Sequence, residues 1–173
     1  MTKMTSAFAN KVLRKLKEDK SYWVNKENDG YTYIAAADEE PVIPDYDYAD
    51  VAGKIAAIDD QVVKIKHALN VTNATNKVAV GENEMTVDEI LVKMSQLSRR
   101  KYTLDSMRKL EPKTRINSGV YSSRKTTPEY RYINYDLELI KSEYERIDSE
   151  ISQMQLSLDK YNQTVEFDVD IDL

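Results

Sequence analysis

The chain has 173 residues, with 25 Lys and Arg, 30 Asp and Glu, one His and no Cys, which gives a net charge of −5. This length suits one domain, and the lack of cysteine excludes disulfides and thiolate chemistry and fits a reducing compartment. Residues 1–20 lack the apolar core of a secretory signal, and no run approaches the roughly 18 apolar residues of a membrane-spanning helix, so we expect a cytoplasmic protein that does not enter a membrane.

The charge is divided into blocks of opposite sign. Residues 27–60 hold ten acids and one base, and residues 136–173 hold eleven acids and three bases. By contrast, residues 1–26 hold seven bases and two acids, and residues 99–131 hold ten bases and three acids. Such blocks can attract one another within one chain or between two copies.

Two helices are predicted in the first half of the chain. The first spans about residues 5–22, with Phe8, Val12 and Leu16 on its apolar side, and an acidic linker follows it. A break at Pro44 precedes the second helix. The apolar positions of this helix alternate in steps of three and four, as in a heptad seam: Tyr48, Val51, Ile55, Ile58, Val62, Ile65 and Leu69.

Two further helices are predicted in the second half. The third begins at Thr86, which forms a capping box with Glu89, and it ends before Pro112. The fourth covers residues 137–161. Its stripe is too narrow to be stable alone and must be buried against a partner. The seam positions again alternate in steps of four and three: Ile133, Leu137, Ile140, Tyr144, Ile147, Ile151, Met154, Leu158 and Tyr161.

Charges beside the seams predict an antiparallel pairing of the third and fourth helices. An antiparallel coiled coil brings g positions against g positions and e against e. Asp105 and Lys141 carry opposite charges at e positions. The g positions of the two helices also carry opposite charges: Lys93 and Arg100 on the third, Glu143 and Glu150 on the fourth.

Strand patterns are confined to the connections and the end of the chain. Residues 165–171 alternate apolar and acidic side chains, which predicts an amphipathic strand. Residues 31–34 and 130–133 are its expected partners. Residues 111–129 form a basic loop that is too long for an ordinary helix connection.

Together these elements predict a mainly α fold. We expect about four long, antiparallel, coiled-coil-like helices with a small β-sheet at one end. The prediction is a single domain, 1–173, in which the N-terminal helix and acidic linker (1–45) precede a heptad core (46–173).

A basic stretch with interleaved tyrosines is the main candidate site. Tyr102, Tyr121, Tyr130 and Tyr132 could stack on bases. The acidic blocks of the chain offer a competing internal partner for the same cations. The residues predicted to contact a polyanion are Arg99, Arg100, Lys101, Arg108, Lys109, Arg115, Arg124 and Lys125.

Metal and cofactor sites find little support. Asp168, Asp170 and Asp172 alternate along the last strand, where acids form its solvated face, although metal-assisted hydrolysis by this tail remains an alternative. His67 is the single histidine and the chain has no Cys, so no further His or Cys can complete a zinc site. The sequence also has no Gly-rich phosphate loop. We therefore expect no cofactor, no metal and no catalytic site.

Three segments carry a resemblance to a known family: residues 69–76 (LNVTNATN), 85–91 (MTVDEIL) and 161–167 (YNQTVEF). Over roughly residues 50–170 the chain resembles an uncharacterised bacterial helical family, the septicolysin-like proteins. It departs from the family pattern at Gln163, where the family has Trp. The resemblance implies a self-associating long-helix protein with a small β element. The family label suggests a pore-forming toxin, against which the lack of an apolar membrane segment argues.

Four functions are compatible with these patterns. The leading prediction is a non-enzymatic structural or protein-interaction protein that self-associates as a homo-oligomer through its heptad seams. The alternative is nucleic-acid binding through residues 99–131. A pore-forming protein or a metal-dependent hydrolase is the remaining possibility.

Overall fold

A computed structural model describes residues 1–116 and 127–171, which form a mainly α fold, as predicted. Four helices lie within these ranges: α1 Ser6–Gly30, α2 Tyr48–Thr75, α3 Val87–Arg108 and α4 Leu137–Thr164. Six short strands accompany them: β1 Thr2–Thr5, β2 Lys77–Val80, β3 Asn83–Thr86, β4 Lys113–Ile116, β5 Glu129–Tyr132 and β6 Glu166–Val169. The strands form three separate two-stranded sheets, β1–β6, β2–β3 and β4–β5.

Contacts divide the chain into two compact units. The first unit comprises residues 1–77 and 158–173, and the second comprises residues 78–157. Helix α4 supplies residues to both units.

Helices α1 and α2 form an antiparallel pair in the first unit. Helix α1 starts where the Thr5 side chain accepts a hydrogen bond from the Phe8 N–H at 3.2 Å, and it runs to Gly30, eight residues beyond the predicted end. Lys20 reaches Asp59 at 2.6 Å, and the Lys54 ammonium lies 4.1 Å from the centre of the Trp23 ring. The two helices therefore run in opposite directions.

The β1–β6 ribbon closes the core of the first unit. Antiparallel pairing places Met4 opposite Phe167 and Thr2 opposite Val169. The buried core of the unit consists of Met4, Ala9, Leu16, Ile65, Phe167, Val169 and Ile171. This ribbon joins the two ends of the described chain.

The predicted partners of the last strand are wrong. Residues 31–34 form no strand, and residues 130–133 fall largely in β5, which pairs with β4. The true partner, Thr2–Thr5, was missed because its four residues contain a single apolar side chain, too short a pattern to read as a strand.

The joint between α1 and the linker depends on a glycine. A Cβ at Gly30 would lie 2.6 Å from the Tyr46 Cβ, a distance that only a glycine avoids. The Tyr46 hydroxyl lies 3.3 Å from a Glu27 carboxylate oxygen. Desolvation and that carboxylate raise the pKa of Tyr46. Tyr46 thus holds the end of the linker against α1.

The second unit opens with a hairpin that leads into α3. Gly81 has a φ of +60° at the first of two turn residues between β2 and β3, as a type II′ turn requires. Thr86 and Glu89 form the predicted capping box, which is confirmed in both of its hydrogen bonds. Helix α3 ends at Arg108, four residues before Pro112.

Helices α3 and α4 pack through their predicted apolar stripes. Leu104, Ile140 and Ile147 are buried together. Lys93 is level with Glu150, and the Tyr135 hydroxyl donates to the Met107 carbonyl at 2.7 Å, so the helices run antiparallel. The residues that surround this core are Leu97, Met107, Tyr135, Tyr144 and Ile151.

The predicted loop 111–129 is in part a strand, since β4 occupies its beginning. Strand β4 pairs with β5 in antiparallel register, with Lys113 opposite Tyr132 and Arg115 opposite Tyr130. The Ile133 N–H donates to the Pro112 carbonyl at 3.3 Å, which extends the pairing at the base of the ribbon. The sequence predicts a loop here because the segment is rich in turn-favouring residues and shows no clear alternation of apolar and polar side chains.

Candidate interaction surfaces

Ion pairs flank the contact of α3 with α4. The Lys93 ammonium lies 2.7 Å from a Glu150 carboxylate oxygen. Arg146 sits beside both acids on α4, 3.0 Å from Glu143 and 3.2 Å from Glu150. Arg100 faces Glu143 at longer range, where it acts on that carboxylate electrostatically.

These cations stabilise the ionised form of the two glutamates. The hydrogen bond from Lys93 lowers the pKa of Glu150, and Arg146 adds to the effect. The hydrogen bond from Arg146 lowers the pKa of Glu143, with a smaller contribution from Arg100. The folded state therefore prefers both carboxylates to be charged.

The Glu150 pair gives a pH-dependent contribution to stability. Because the folded-state pKa lies below the ordinary value of 4.5, the contribution is fully present above that pH and is lost as the pH falls through the lowered pKa. Glu150→Gln is expected to lose stability at neutral pH relative to the parent, with a difference that shrinks as the pH falls below 4.5 and through the lowered pKa of Glu150. Urea denaturation across this range measures it.

The control for this prediction is Glu84→Gln, which changes an exposed carboxylate on β3. It is expected to leave the stability difference between neutral and acidic pH close to that of the parent. A Glu150→Gln protein with the parent's full acid sensitivity would contradict the assigned role of Lys93.

The second predicted pairing at e positions does not form. Asp105 binds Arg108 at 2.7 Å and also Lys109, both on its own helix. Lys141 binds Glu138 at 2.7 Å. The prediction failed because partners three and four residues away on the same helix are within easy reach.

Three of the cations predicted to contact a polyanion have internal partners instead. Lys101 binds Asp148, and this hydrogen bond raises the pKa of Lys101. Arg108 and Lys109 bind Asp105 and lower its pKa. The Arg108 guanidinium also lies 3.9 Å from the centre of the Tyr144 ring. Asp105 and Asp148 therefore offset part of the positive charge at the C-terminal end of α3.

The other predicted contacts fall into three groups. Arg99 and Arg100 are exposed on α3. Arg115 is exposed on β4. Arg124 and Lys125 lie outside the described residues. The ribbon differs from α3 in that its register sets two exposed cations and two exposed tyrosines on one face.

One face of the β4–β5 ribbon, the ribbon face, consists of Lys113, Arg115, Tyr130 and Tyr132. All four are exposed, with Tyr130 at 40% and Tyr132 at 62%. The Lys113 ammonium lies 4.2 Å from the Tyr130 ring centre and 5.6 Å from the Tyr132 ring centre. Exposed cation–π contacts of this kind contribute about 0.5–1 kcal/mol. They orient the lysine without neutralising it.

An apolar groove lies on α1 in the first unit. Its volume is about 520 Å³, and it opens to solvent. Phe8, Val12 and Leu16 form its apolar part, and Lys11 and Lys15 stand beside them. Asp19 and Gln61 complete the lining. Leu16 is buried, whereas Phe8 is 45% exposed.

The linker between α1 and α2 is exposed along most of its length. Ile34 is fully exposed and Val42 is 90% exposed, which is unusual for apolar side chains. Between them lie Asp38, Glu39 and Glu40, where the Glu39 N–H donates to the Ala36 carbonyl in a turn. Only the end of the linker is held, by Tyr46.

The acidic tail offers no assembled metal site in the part of the chain that the structure describes. Asp168 alternates with buried Phe167 and Val169, and it points away from the core. Asp172 lies outside the described residues. Across residues 1–116 and 127–171, no group of three His, Cys, Asp or Glu side chains is arranged to hold a metal ion.

None of the helices within the described ranges has both the length and the apolar character to cross a membrane.

Comparison with known proteins supports the fold alone. No protein-family model matches the sequence, and no curated protein matches it. A crystal structure of a functionally unknown conserved protein from Corynebacterium diphtheriae matches with a TM-score of 0.60 at 12% identity. The match covers 96% of this chain and all of the other.

Sequence reasoning missed the groove on α1 and the ribbon face. The apolar residues of α1 were identified, but the open space beside them depends on how α2 packs. The ribbon face was not visible because the pairing of β4 with β5 decides which cations stand beside which tyrosines.

Proposed function

We propose that this protein is a non-enzymatic interaction protein of the cytoplasm that self-associates through α1. The observation that carries the proposal is the open groove, in which the exposed Phe8 ring stands beside Val12 and Leu16. Exposed apolar surfaces with a charged rim are typical of protein contact sites. The lack of cysteine fits a reducing compartment.

The proposed occupant of the groove is the linker of a second copy. That linker offers what the groove lacks, namely exposed apolar side chains (Ile34, Val42) next to acids (Glu39, Glu40). Lys11 and Lys15 beside the apolar floor match those acids in charge. Such complementarity selects a partner and its register more than it adds affinity.

The linker of the same copy does not fill the groove in the structure, since Ile34 is fully exposed and Val42 is 90% exposed. Leu16 is about 21 Å from Gly30 along α1, at 1.5 Å per residue. A linker that travels to Leu16 and back needs about 12 fully extended residues of the segment 31–47. Tyr46 already holds the end of that segment against Gly30. A second copy can place its linker in the groove without this detour.

The heptad seams are less suited to self-association, because several of their residues are already buried within the chain. Ile147, Met154 and Leu158 of α4 are each no more than 4% exposed, as are Val51 and Ile65 of α2. We propose instead that α3 and α4 pair with each other as a short antiparallel coiled coil. The Lys93–Glu150 ion pair and the buried Leu104, Ile140 and Ile147 support this arrangement.

A charge-swap experiment tests the proposed contact. The 20.0 kDa chain is expected to sediment as a dimer at concentrations of roughly tens of micromolar. The paired variants Lys11→Glu with Lys15→Glu, and Glu39→Lys with Glu40→Lys, are each expected to be monomeric. An equimolar mixture of the two is expected to dimerise again, because each groove then meets a linker of opposite charge.

The matched control reverses two exposed lysines of α2 outside the groove, Lys64→Glu with Lys66→Glu, and is expected to dimerise as the parent does. A parent that stays monomeric at all concentrations overturns self-association. A dimer that both paired variants retain, or a mixture that stays monomeric, overturns the groove and linker as its interface.

A further inference from the structure

We infer that the ribbon face, Lys113, Arg115, Tyr130 and Tyr132, is a binding site for single-stranded nucleic acid. The first observation is the register of the ribbon. Lys113 is opposite Tyr132 and Arg115 is opposite Tyr130, so two cations and two rings share one face. All eight residues of the two strands are exposed.

The second observation is that these cations remain available. Asp105 of α3 and Asp148 of α4 bind the basic residues Lys101, Arg108 and Lys109. On the ribbon, the described contacts of Lys113 are with two neutral rings. These contacts are with rings and not with acids, so the ammonium can move from the rings to a phosphate when a base stacks on the tyrosines.

The third observation is the spacing of the rings. The centres of Tyr130 and Tyr132 are 6.4 Å apart, and the ring planes are tilted by 52°. Adjacent nucleotides of a stacked strand rise by roughly 3.4 Å, so neighbouring bases of a continuous stack cannot each cover one ring. A strand whose bases are spread apart can do so. This favours single-stranded over duplex nucleic acid.

An acidic protein segment is the competing partner for the same cations. The acidic block 27–60 of a second copy matches the charge of the ribbon and also carries tyrosines, but its acids and rings do not repeat together at every unit as the phosphates and bases of a nucleic acid do. A strand with bases uses both the cations and the rings. The bases therefore distinguish the two partners.

The experiment measures fluorescence anisotropy of a labelled single-stranded oligonucleotide at several salt concentrations. An abasic strand of equal length and poly-glutamate serve as competitors. The oligonucleotide is expected to bind more tightly than both. Replacement of Tyr130 or Tyr132 by Val, which keeps strand propensity, is expected to weaken binding at least about fivefold, whereas Phe at the same position retains it.

Two matched controls accompany these variants. Tyr102→Val removes an exposed tyrosine of α3 and is expected to leave binding unchanged. Lys113→Gln is expected to reduce the slope of log affinity against log salt by about 0.7, whereas Lys66→Gln on α2 leaves it as it was. Circular dichroism confirms that each variant is folded.

Three results would overturn the inference. One is no binding of the oligonucleotide at low salt. Another is equal affinity for the abasic strand or poly-glutamate, which would assign the ribbon face to anions without bases. The third is a pair of folded Val variants that bind as tightly as the parent. None of these results depends on whether the protein dimerises through α1.

Discussion

Replacing Leu104 with alanine is expected to lower the free energy of unfolding by about 2–5 kcal/mol. Leu104 is fully buried at the contact of α3 with α4, where it packs with Ile140 and Ile147. Loss of its side chain removes apolar contacts and leaves a cavity, because the surrounding helices collapse only partly into the space. The effect is large because few buried side chains hold this contact together.

Hydrogen exchange of α3 and α4 amides, together with urea denaturation followed by circular dichroism, measures this loss. Fluorescence of Trp23, the single tryptophan, reports on α1 instead. Leu156→Ala is the matched control, since Leu156 is a leucine of α4 that is 70% exposed. It is expected to change stability by no more than about 0.5 kcal/mol. Equal effects of the two substitutions would show that Leu104 is not a core residue.

Replacing Phe167 with alanine is expected to destabilise the protein by about 3–5 kcal/mol. Phe167 is 9% exposed, and in the β1–β6 ribbon it is paired with Met4, which is 2% exposed. Both side chains enter the core that α1 and α2 share with the ribbon. Truncation of Phe167 therefore weakens the helix pair and the closure of the ribbon together.

Trp23 fluorescence during urea denaturation follows this change directly, since Trp23 belongs to the same unit. Asp168→Ala is the control on the same strand, since Asp168 is exposed. It is expected to change the free energy of unfolding by no more than about 0.5 kcal/mol. A double-mutant cycle with Met4→Ala tests the pairing itself. Residues in contact are expected to show a coupling energy of about 0.5–3 kcal/mol, and strict additivity would contradict the register of β1 with β6.

Part of the candidate interaction surfaces could be predicted from the sequence. The positions of Lys93 and Glu150 follow from the heptad register, and the structure places them 2.7 Å apart. The pairing of Arg108 and Lys109 with Asp105 was also readable, because Asp105 precedes them by three and four residues. The pairing of Lys101 with Asp148 could not be read from the sequence, since it joins residues 47 apart in the chain.

The groove on α1 required the packing of two helices to be known. Phe8, Val12 and Leu16 repeat every four residues and predict an apolar side of α1. The same pattern describes a side chain that is buried, as Leu16 is, and one that stays open, as Phe8 is. Which part of a stripe a neighbour covers depends on where the neighbour crosses it.

By itself the sequence determined the helices, the capping box of α3 and the apolar stripes. These features depend on residues three to seven positions apart, so a short stretch of chain contains the whole signal. Only the tertiary structure decided that Thr2–Thr5 pairs with Glu166–Val169, which cations meet an acid, and which rings share a face with Lys113. Those contacts join residues far apart in the chain, where many pairings suit the same local pattern and the packing of the whole unit selects one.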